Sequence, residues 1–188
     1  NGATGALIRT YTPPEPQTGE QFGYALTAIA GGKIAVIAPK RVLTNGRGSV
    51  FVLDAATGAQ AYRKDSTFTF LNNHSAIAAV GDKFVYGNMQ GYWNGPNMFD
   101  VRTRICRASD GAVLAEPNAW QNNKTSQYSA FGASVCNQNG NFAIGNPAIN
   151  ASPLMAICSG ENLSQDGWGA PVNGGLYTAA TGSAIAGF

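Results

Sequence analysis

The residue types that most often carry out chemistry are sparse in this chain and do not converge. It has one histidine, His74, and ten carboxylates among 188 residues. A catalytic triad needs a nucleophile, a histidine and an oxyanion hole together, and no Gly-x-Ser-x-Gly elbow is present. The Gly-rich stretches open no helix, so they do not read as phosphate cradles. The sequence therefore predicts no catalytic residue, no cofactor and no enzyme activity.

The cysteines do not indicate a metal site. Cys106, Cys136 and Cys158 have no CxxC spacing, and one histidine cannot complete a zinc ligand set. One disulfide with a leftover thiol and three buried thiols both remain open.

Aromatic residues in Gly- and Asn-rich segments are the candidates for ligand contact. Such rings can stack on a sugar or a partner protein, or they can simply cap strand ends. The residues are Tyr92, Trp93, Trp120 and Trp168. If they contact a ligand, glycans are the partner class that we expect.

Four Asn-x-Ser/Thr sequons are candidates for glycosylation in a chain that passes through a glycosylating compartment. They begin at Asn73, Asn123, Asn150 and Asn162. Low Lys and Glu content with many Asn, Gly, Ser and Thr residues favours an extracellular location or a cell or virion surface. Because the chain begins with Asn1 rather than Met, we expect a processed chain or a part of a longer one.

Charge and hydropathy exclude two partner classes. The net charge of +2 comes from scattered residues, and the nearest basic cluster, Lys40 with Arg41 and Arg47, reads as a solvated face. No apolar run approaches the ~20 residues of a membrane span. We predict neither nucleic-acid binding nor a membrane span.

Internal repetition organises the chain and predicts an all-β fold. A strand-turn-strand pattern opens with Phe22-Gly23 and returns at Phe131-Gly132, with a weaker copy between them. Gly-containing corners follow the third strands, at Gly5, Gly58, Gly111 and Gly182. The 24 glycines and the absence of helical periodicity agree with short strands and turns.

One repeat domain, 1–188, divides into three predicted four-stranded units. Residues 1–21 are an N-terminal strand and a Pro-rich connector. Unit one spans 22–71, unit two 72–130, and unit three 131–188 with an inserted loop at 151–173 that contains Trp168. The apolar positions at equivalent places predict a core of Ile34, Val36, Val50, Val52, Phe84, Val85, Phe142 and Ile144.

The N-terminal strand is predicted to be an assembly strand. It follows the corner at Gly5, and it lacks the preceding partner strand that the other corners have. The strand comprises Ala6, Leu7, Ile8, Arg9, Thr10 and Tyr11. An unpaired strand edge is a template for association. We expect it to pair with a neighbouring copy, with closure onto unit three as the alternative.

The pattern Phe-Gly, a Gly turn, an apolar strand ending Ala-Pro or Asn-Pro, and VFVLDAATG resembles the FG-GAP repeats of integrin-like β-propellers. The resemblance implies one four-stranded blade per repeat, with the Phe packed between blades. Three units are too few for a standard closed propeller in one chain. The family's calcium loops have clustered carboxylates, which KRVLTNGRG, MQGYWNGPN and INASPLMA lack, so we predict no metal.

Asp54, Thr57-Gly58 and Tyr62 also resemble the Asp-x-x-Thr-Gly-x-x-x-Trp repeat of quinoprotein dehydrogenases, but this match occurs once. The sequence therefore favours a non-catalytic, extracellular, self-associating structural module of a surface fibre or virion appendage. The alternative function is an adhesion propeller that binds glycans or proteins through its loop aromatics.

Overall fold

The computed structural model describes residues 3–44, 46–66, 69–70, 76–90, 101–116, 134–145, 155–161, 163 and 165–168. Within these ranges the chain forms strands, turns and extended segments and no helix. The all-β prediction is confirmed.

The described residues form thirteen strands, which build three four-stranded units and one short connecting strand. Unit one contains β1 (Ala25–Ile29), β2 (Lys33–Leu43), β3 (Gly46–Asp54) and β4 (Gln60–Asp65). The connecting strand is β5 (Thr69–Phe70). Unit two contains β6 (Ile77–Val80), β7 (Lys83–Gln90), β8 (Val101–Arg107) and β9 (Val113–Ala115). Unit three contains β10 (Ser134–Gln138), β11 (Asn141–Gly145), β12 (Met155–Ser159) and β13 (Gln165–Trp168).

Each unit is an antiparallel meander in which consecutive strands are neighbours. Strands β1 to β4 pair in order, as do β6 to β9 and β10 to β13. Strand β5 bridges the first two units, because Thr69 pairs in parallel with Arg47 of β3 and antiparallel with Gln90 of β7. The four-stranded, blade-like units that the repeats predict are thus present.

Strand β2 is longer than the sequence pattern indicates. Ala38-Pro39 was predicted to end the strand, but β2 continues to Leu43. Its register with β3 shifts between Ala38 and Val42. Proline has no N–H for the ladder, and a bulge is one of the places where a strand accepts it. The bulge also alters which way the following residues face.

The third unit corrects the predicted insertion at 151–173. Strands β12 and β13 lie inside this range and complete unit three, and Trp168 is a strand residue that pairs with Ala156. The corner between them is at Leu163, whose φ of 61° lies in the same left-handed region as the φ values of Gly58 (79°) and Gly111 (72°). In each of the three corners the N–H of this residue donates to the carbonyl four residues earlier. The predicted corner at Gly182 lies outside the described residues.

The units stack face to face through two apolar clusters. One cluster joins Val50 and Val52 of unit one to Phe84 and Tyr86 of unit two. The other joins Val85 and Ile105 of unit two to residues of unit three, Val135, Phe142, Ile144 and Cys158. Because side chains alternate along a strand, β7 contributes to both clusters. The middle sheet is therefore buried on both faces, which makes the arrangement propeller-like.

The predicted core is confirmed at seven of its eight positions. The buried residues are Val36, Val50, Val52, Phe84, Val85, Phe142 and Ile144. Ile34 is only partly buried and packs with Ala38, Phe51 and Leu53 on the face of unit one that points away from unit two.

The cysteines are buried thiols, and none of the three forms a disulfide. Cys106 and Cys158 occupy the same register position in units two and three, opposite Phe84 and Phe142. Burial raises the pKa of the Cys106 thiol to about 11. These residues therefore act as small apolar core residues.

Truncating a side chain between two units should be costly. We expect Phe84→Ala to lower the free energy of unfolding by about 3–5 kcal/mol, because the cavity would open in a cluster shared by both sheets. The measurement is chemical denaturation, with Val113→Ala at an exposed position as the control. Equal midpoints for the two variants would contradict this placement of the core.

Candidate assembly site

The N-terminal arm, residues 6–11, lies against the corner that follows β3. Arg9 Nη1 donates to the Thr57 carbonyl at 2.9 Å, and the Tyr11 hydroxyl donates to the Ala55 carbonyl at 2.6 Å. The Tyr11 ring also covers Gly58, since its Cδ1 lies 3.5 Å from where a Cβ would stand. The arm thus satisfies two carbonyls that the corner leaves outside the ladder.

The corner is held by its own side chains. Oδ1 of Asp54 accepts hydrogen bonds from the Ala56 N–H, the Thr57 N–H and the Thr57 hydroxyl, at 3.0, 2.7 and 2.7 Å. Gly58 follows with a φ of 79°, which a residue with a Cβ rarely adopts. The Thr57 hydroxyl bond is the main reason that the pKa of Asp54 lies below its usual range. The corner is a rigid support for whatever lies on it.

The same contact recurs one repeat later, between unit one and unit two. The Tyr62 hydroxyl of β4 donates to the Ala108 carbonyl at 2.9 Å. Ala108 lies 53 residues after Ala55, and the Tyr62 ring stands over Gly111 as Tyr11 stands over Gly58. Burial, followed by the nearby Cys106 and Asp110, raises the pKa of Tyr62 to about 12. The fourth strand of unit one thus covers the corner of unit two in the way that the arm covers the corner of unit one.

The position of the arm follows from this equivalence. Gly5 lies 53 residues before Gly58 and has a φ of 68°, so a corner precedes the arm as a corner precedes β4. Within residues 3–24, however, the structure has no strand, and the predicted strand Leu7–Tyr11 does not pair inside the described chain. Its contacts are made by side chains instead. Leu7 and Ile8 are 83% and 76% exposed.

The connector that follows the arm is held by a buried ion pair. Arg41 Nη1 donates to Glu20 Oε2 at 2.6 Å and to the Glu15 carbonyl at 2.7 Å, and both charged side chains are almost fully buried. Glu15 also reaches Arg41 Nη2 at 3.3 Å and Arg63 Nη1 at 3.0 Å. We call residues 15–20 with Arg41 the clasp. Charges removed from water need such partners.

The bulge in β2 explains why Arg41 faces inward. Its guanidinium lies 5.2 Å from the centre of the Phe51 ring, a cation–π distance. Next to it, the Gln17 amide bonds both backbone groups of Val42, accepting from its N–H at 2.9 Å and donating to its carbonyl at 3.2 Å. Arg41 Nε has no hydrogen-bond partner. The sequence interpretation of Arg41 as a solvated surface charge is therefore wrong.

The sequence could not reveal the clasp, because Glu20 and Arg41 are far apart in the chain and neither residue belongs to a motif. The positions of the corners could be inferred from the sequence, since Gly5, Gly58 and Gly111 recur with a period of 53 residues.

Most of the other candidate residues fall outside the described part of the chain. This applies to the aromatic residues Tyr92, Trp93 and Trp120, to the sequon residues Asn73, Asn123, Asn150 and Asn162, and to His74. Trp168 lies at the end of β13. Their predicted roles stay predictions.

Two further kinds of feature are absent from the described residues. No group of three or more His, Cys, Asp or Glu side chains there is placed to hold a metal ion. No helix long and apolar enough to cross a membrane occurs in that part of the chain.

Comparisons with known proteins assign no family to this chain. No family model matches the chain, and no curated protein matches its sequence. Among solved structures, the chain is similar to BamB from Moraxella catarrhalis, with 14% sequence identity and a TM-score of 0.47. The match covers 73% of this chain and 37% of BamB, so the chain spans well under half of that protein.

The first prediction from the site concerns the pKa of Asp54. Thr57→Val removes the hydroxyl bond, so the pKa should rise toward its ordinary value. Because the pKa of Asp54 is lowered in the folded state, its carboxylate stabilises the fold at pH values above the unfolded-state pKa. This stabilisation is lost as the pH falls through the folded-state pKa. In the variant, the free energy of unfolding should therefore depend less on pH in the acid range. Carboxyl NMR titration measures the shift, with Asp110 as the internal control, and an unchanged Asp54 would contradict the assignment.

The second prediction concerns the clasp. Glu20→Gln leaves the buried Arg41 charge poorly compensated and should cost about 3 kcal/mol in the free energy of unfolding. It should also make residues 12–21 easier for a protease to cleave. The control is Lys83→Met, which removes a more exposed pair with Asp82 and should cost about 1 kcal/mol or less. If the two variants were equally stable, the clasp would not be holding the connector.

Proposed function

We propose that this chain is a non-catalytic structural module, with FG-GAP-like units, that self-associates through its N-terminal arm. The observation that carries the proposal is the equivalence of the arm and β4. Each of them packs on the corner that follows it in the chain, and in each a tyrosine hydroxyl donates to a carbonyl of that corner. The carbonyl is that of Ala55 for the arm and that of Ala108 for β4. The arm therefore occupies the place of a fourth strand whose neighbouring third strand is absent from the described residues.

An edge of this kind favours strand addition. A strand added by a second copy would bond the backbone groups of residues 7–11 without bending the three stacked sheets. A contact between different surfaces of two copies repeats, giving a ring if the rotation closes and a filament if it does not. This supports a subunit of an extracellular surface fibre or virion appendage, the setting that the composition favours.

The FG-GAP assignment is supported by the place of Phe22-Gly23. Phe22 packs edge-on against Phe51, with ring centres 5.3 Å apart. It lies on the outward face of unit one. A preceding blade would pack on this face, so the position of Phe22 fits the phenylalanine between blades that the resemblance implies. Gly23 has a φ of 89°, so the backbone turns immediately before β1.

Proline substitution in the arm tests the proposal. Successive N–H groups of a strand point to opposite edges, so one of Leu7→Pro and Ile8→Pro should remove a donor to the added strand. We expect that variant to remain monomeric where the parent associates with rising concentration, as measured by sedimentation velocity. Leu7→Thr and Ile8→Thr retain the N–H and are the matched controls.

The outcomes separate the alternatives. If both proline variants associate like the parent, the arm is not the connector. If the parent is monomeric at every concentration and a proline variant only lowers its melting temperature, the arm closes onto its own chain, and the proposal is wrong.

A further inference from the structure

A cavity of about 430 Å³ lies at the end of unit one where β2 turns into β3. Its walls are residues 15 and 17 of the connector, residues 41–44 at the end of β2, and residues 63, 65 and 66 at the end of β4. None of them belongs to the two apolar clusters through which the described units stack. The cavity is therefore separate from the stacking faces, and its volume is in the range of small-ligand sites.

One of the two arginines in its wall shows how this chain holds a carboxylate. Arg63 Nε lies 2.8 Å from Asp65 Oδ1, and Arg63 Nη2 donates to Asp65 Oδ2 at 2.9 Å. Both donors of one guanidinium edge thus meet the two oxygens of one carboxylate. This is the bidentate geometry in which a planar guanidinium recognises a carboxylate.

The same edge of the other arginine, Arg41, is only half used. Its Nη2 lies 3.3 Å from Glu15 Oε2, and its Nε has no hydrogen-bond partner among the described residues. The Arg41 side chain is only 3% exposed, and a buried donor without a partner is destabilising. Compared with Arg63, this edge lacks one carboxylate oxygen.

Glu15 holds its place between the two arginines weakly. A single oxygen, Oε2, serves both guanidinium groups, at 3.3 Å from Arg41 and 3.0 Å from Arg63. The Glu15 side chain is 74% exposed, so it is already largely hydrated. The connector does not depend on this carboxylate, because Arg41 Nη1 is bound by the Glu15 carbonyl and by Glu20. The Glu15 side chain can therefore leave the cavity while the clasp stays closed.

The charges around the cavity define the charge of a ligand. Without the Glu15 carboxylate, the two arginines are balanced by Asp65 in the wall and by the buried Glu20. A ligand with one carboxylate would replace the charge that Glu15 withdraws. A cation or a dianion would leave the site with a charge that it does not have now.

The rest of the wall fits a body that has hydroxyl groups and an apolar side. Thr44 contributes a hydroxyl, and the Gln17 amide has a second N–H besides the one donated to the Val42 carbonyl. Val42, which is 62% exposed, adds an aliphatic surface. A sugar ring presents both hydroxyl groups and C–H faces.

We propose that this cavity binds a small sugar acid. The ligand carboxylate displaces that of Glu15 and accepts hydrogen bonds from Nε and Nη2 of Arg41, while the ring lies between Gln17, Thr44 and Val42. The proposal goes beyond self-association and is independent of it, because no residue of the arm, 6–11, lines the cavity.

Removal of the displaced carboxylate tests the proposal. In the parent, Glu15 competes with the ligand at an effective concentration of about millimolar, so Glu15→Ala should bind glucuronate about tenfold more tightly or better. Isothermal titration calorimetry measures the affinity, and the Arg41 Nε–H resonance should shift in ¹⁵N NMR spectra. The control is Glu116→Ala, which removes a carboxylate paired with Arg104 on unit two and should bind like the parent.

Acetate and glucose divide the ligand into its two parts. Glucuronate should bind about tenfold more tightly than either of them. Equal affinity for acetate would overturn the sugar assignment, and equal affinity for glucose would overturn the role of the carboxylate. If Glu15→Ala binds glucuronate no better than the parent, or if neither binds it, the cavity is not this site. The proline variants of the arm should bind glucuronate like the parent, so that a failure of this proposal is distinct from a failure of the proposed function.

Discussion

Sheets with two apolar faces are the constraint on which this structure depends. In β3, Val50 and Val52 pack toward unit two, while Phe51 and Leu53, which lie between and beyond them, pack on the opposite face. An antiparallel sheet that faced water on one side would alternate apolar and polar residues. A sheet apolar on both sides must instead be enclosed between neighbours, so the units form a stack. The middle unit has both neighbours, and for this reason its strands contain some of the most deeply buried residues.

The first unit meets this constraint in a different way on its outward side. The connector folds across β2 and β3, and the cover includes a buried guanidinium on an aromatic ring. A buried ion pair is a weak source of stability, because desolvating two charges offsets most of their attraction. Its effect here is geometric: Arg41 can be paired only if Glu20 and the Glu15 carbonyl are in place. The clasp thus fixes the path of the connector.

The corners recur at a nearly constant spacing along the chain. Each corner has one residue in the left-handed conformation. These residues are Gly58, Gly111 and Leu163, at intervals of 53 and 52 residues. The left-handed conformation costs a leucine roughly 1–2 kcal/mol, and Leu163 is partly buried against the cluster between units two and three, which offsets that cost. The contact made by Tyr11 and Tyr62 is thus part of a repeating frame.

The sequence by itself determined the strand-rich fold, the number of units and most of the core, because period-two apolar patterns and glycine turns are local properties. Phe84 and Val85 could be assigned to a core from their neighbours alone. The sequence did not determine the third corner, because Leu163 adopts its conformation through packing and has no turn signature, and the letters Thr181-Gly182 suggested a corner elsewhere. It also could not show the clasp, since the burial of Arg41 depends on a bulge in β2 and on carboxylates 21 and 26 residues away. Only the tertiary structure decided that Ile77 and Leu26, both aliphatic and at the same register position on the first strand of a unit, have opposite exposures, because burial depends on which sheet stands in front of a residue.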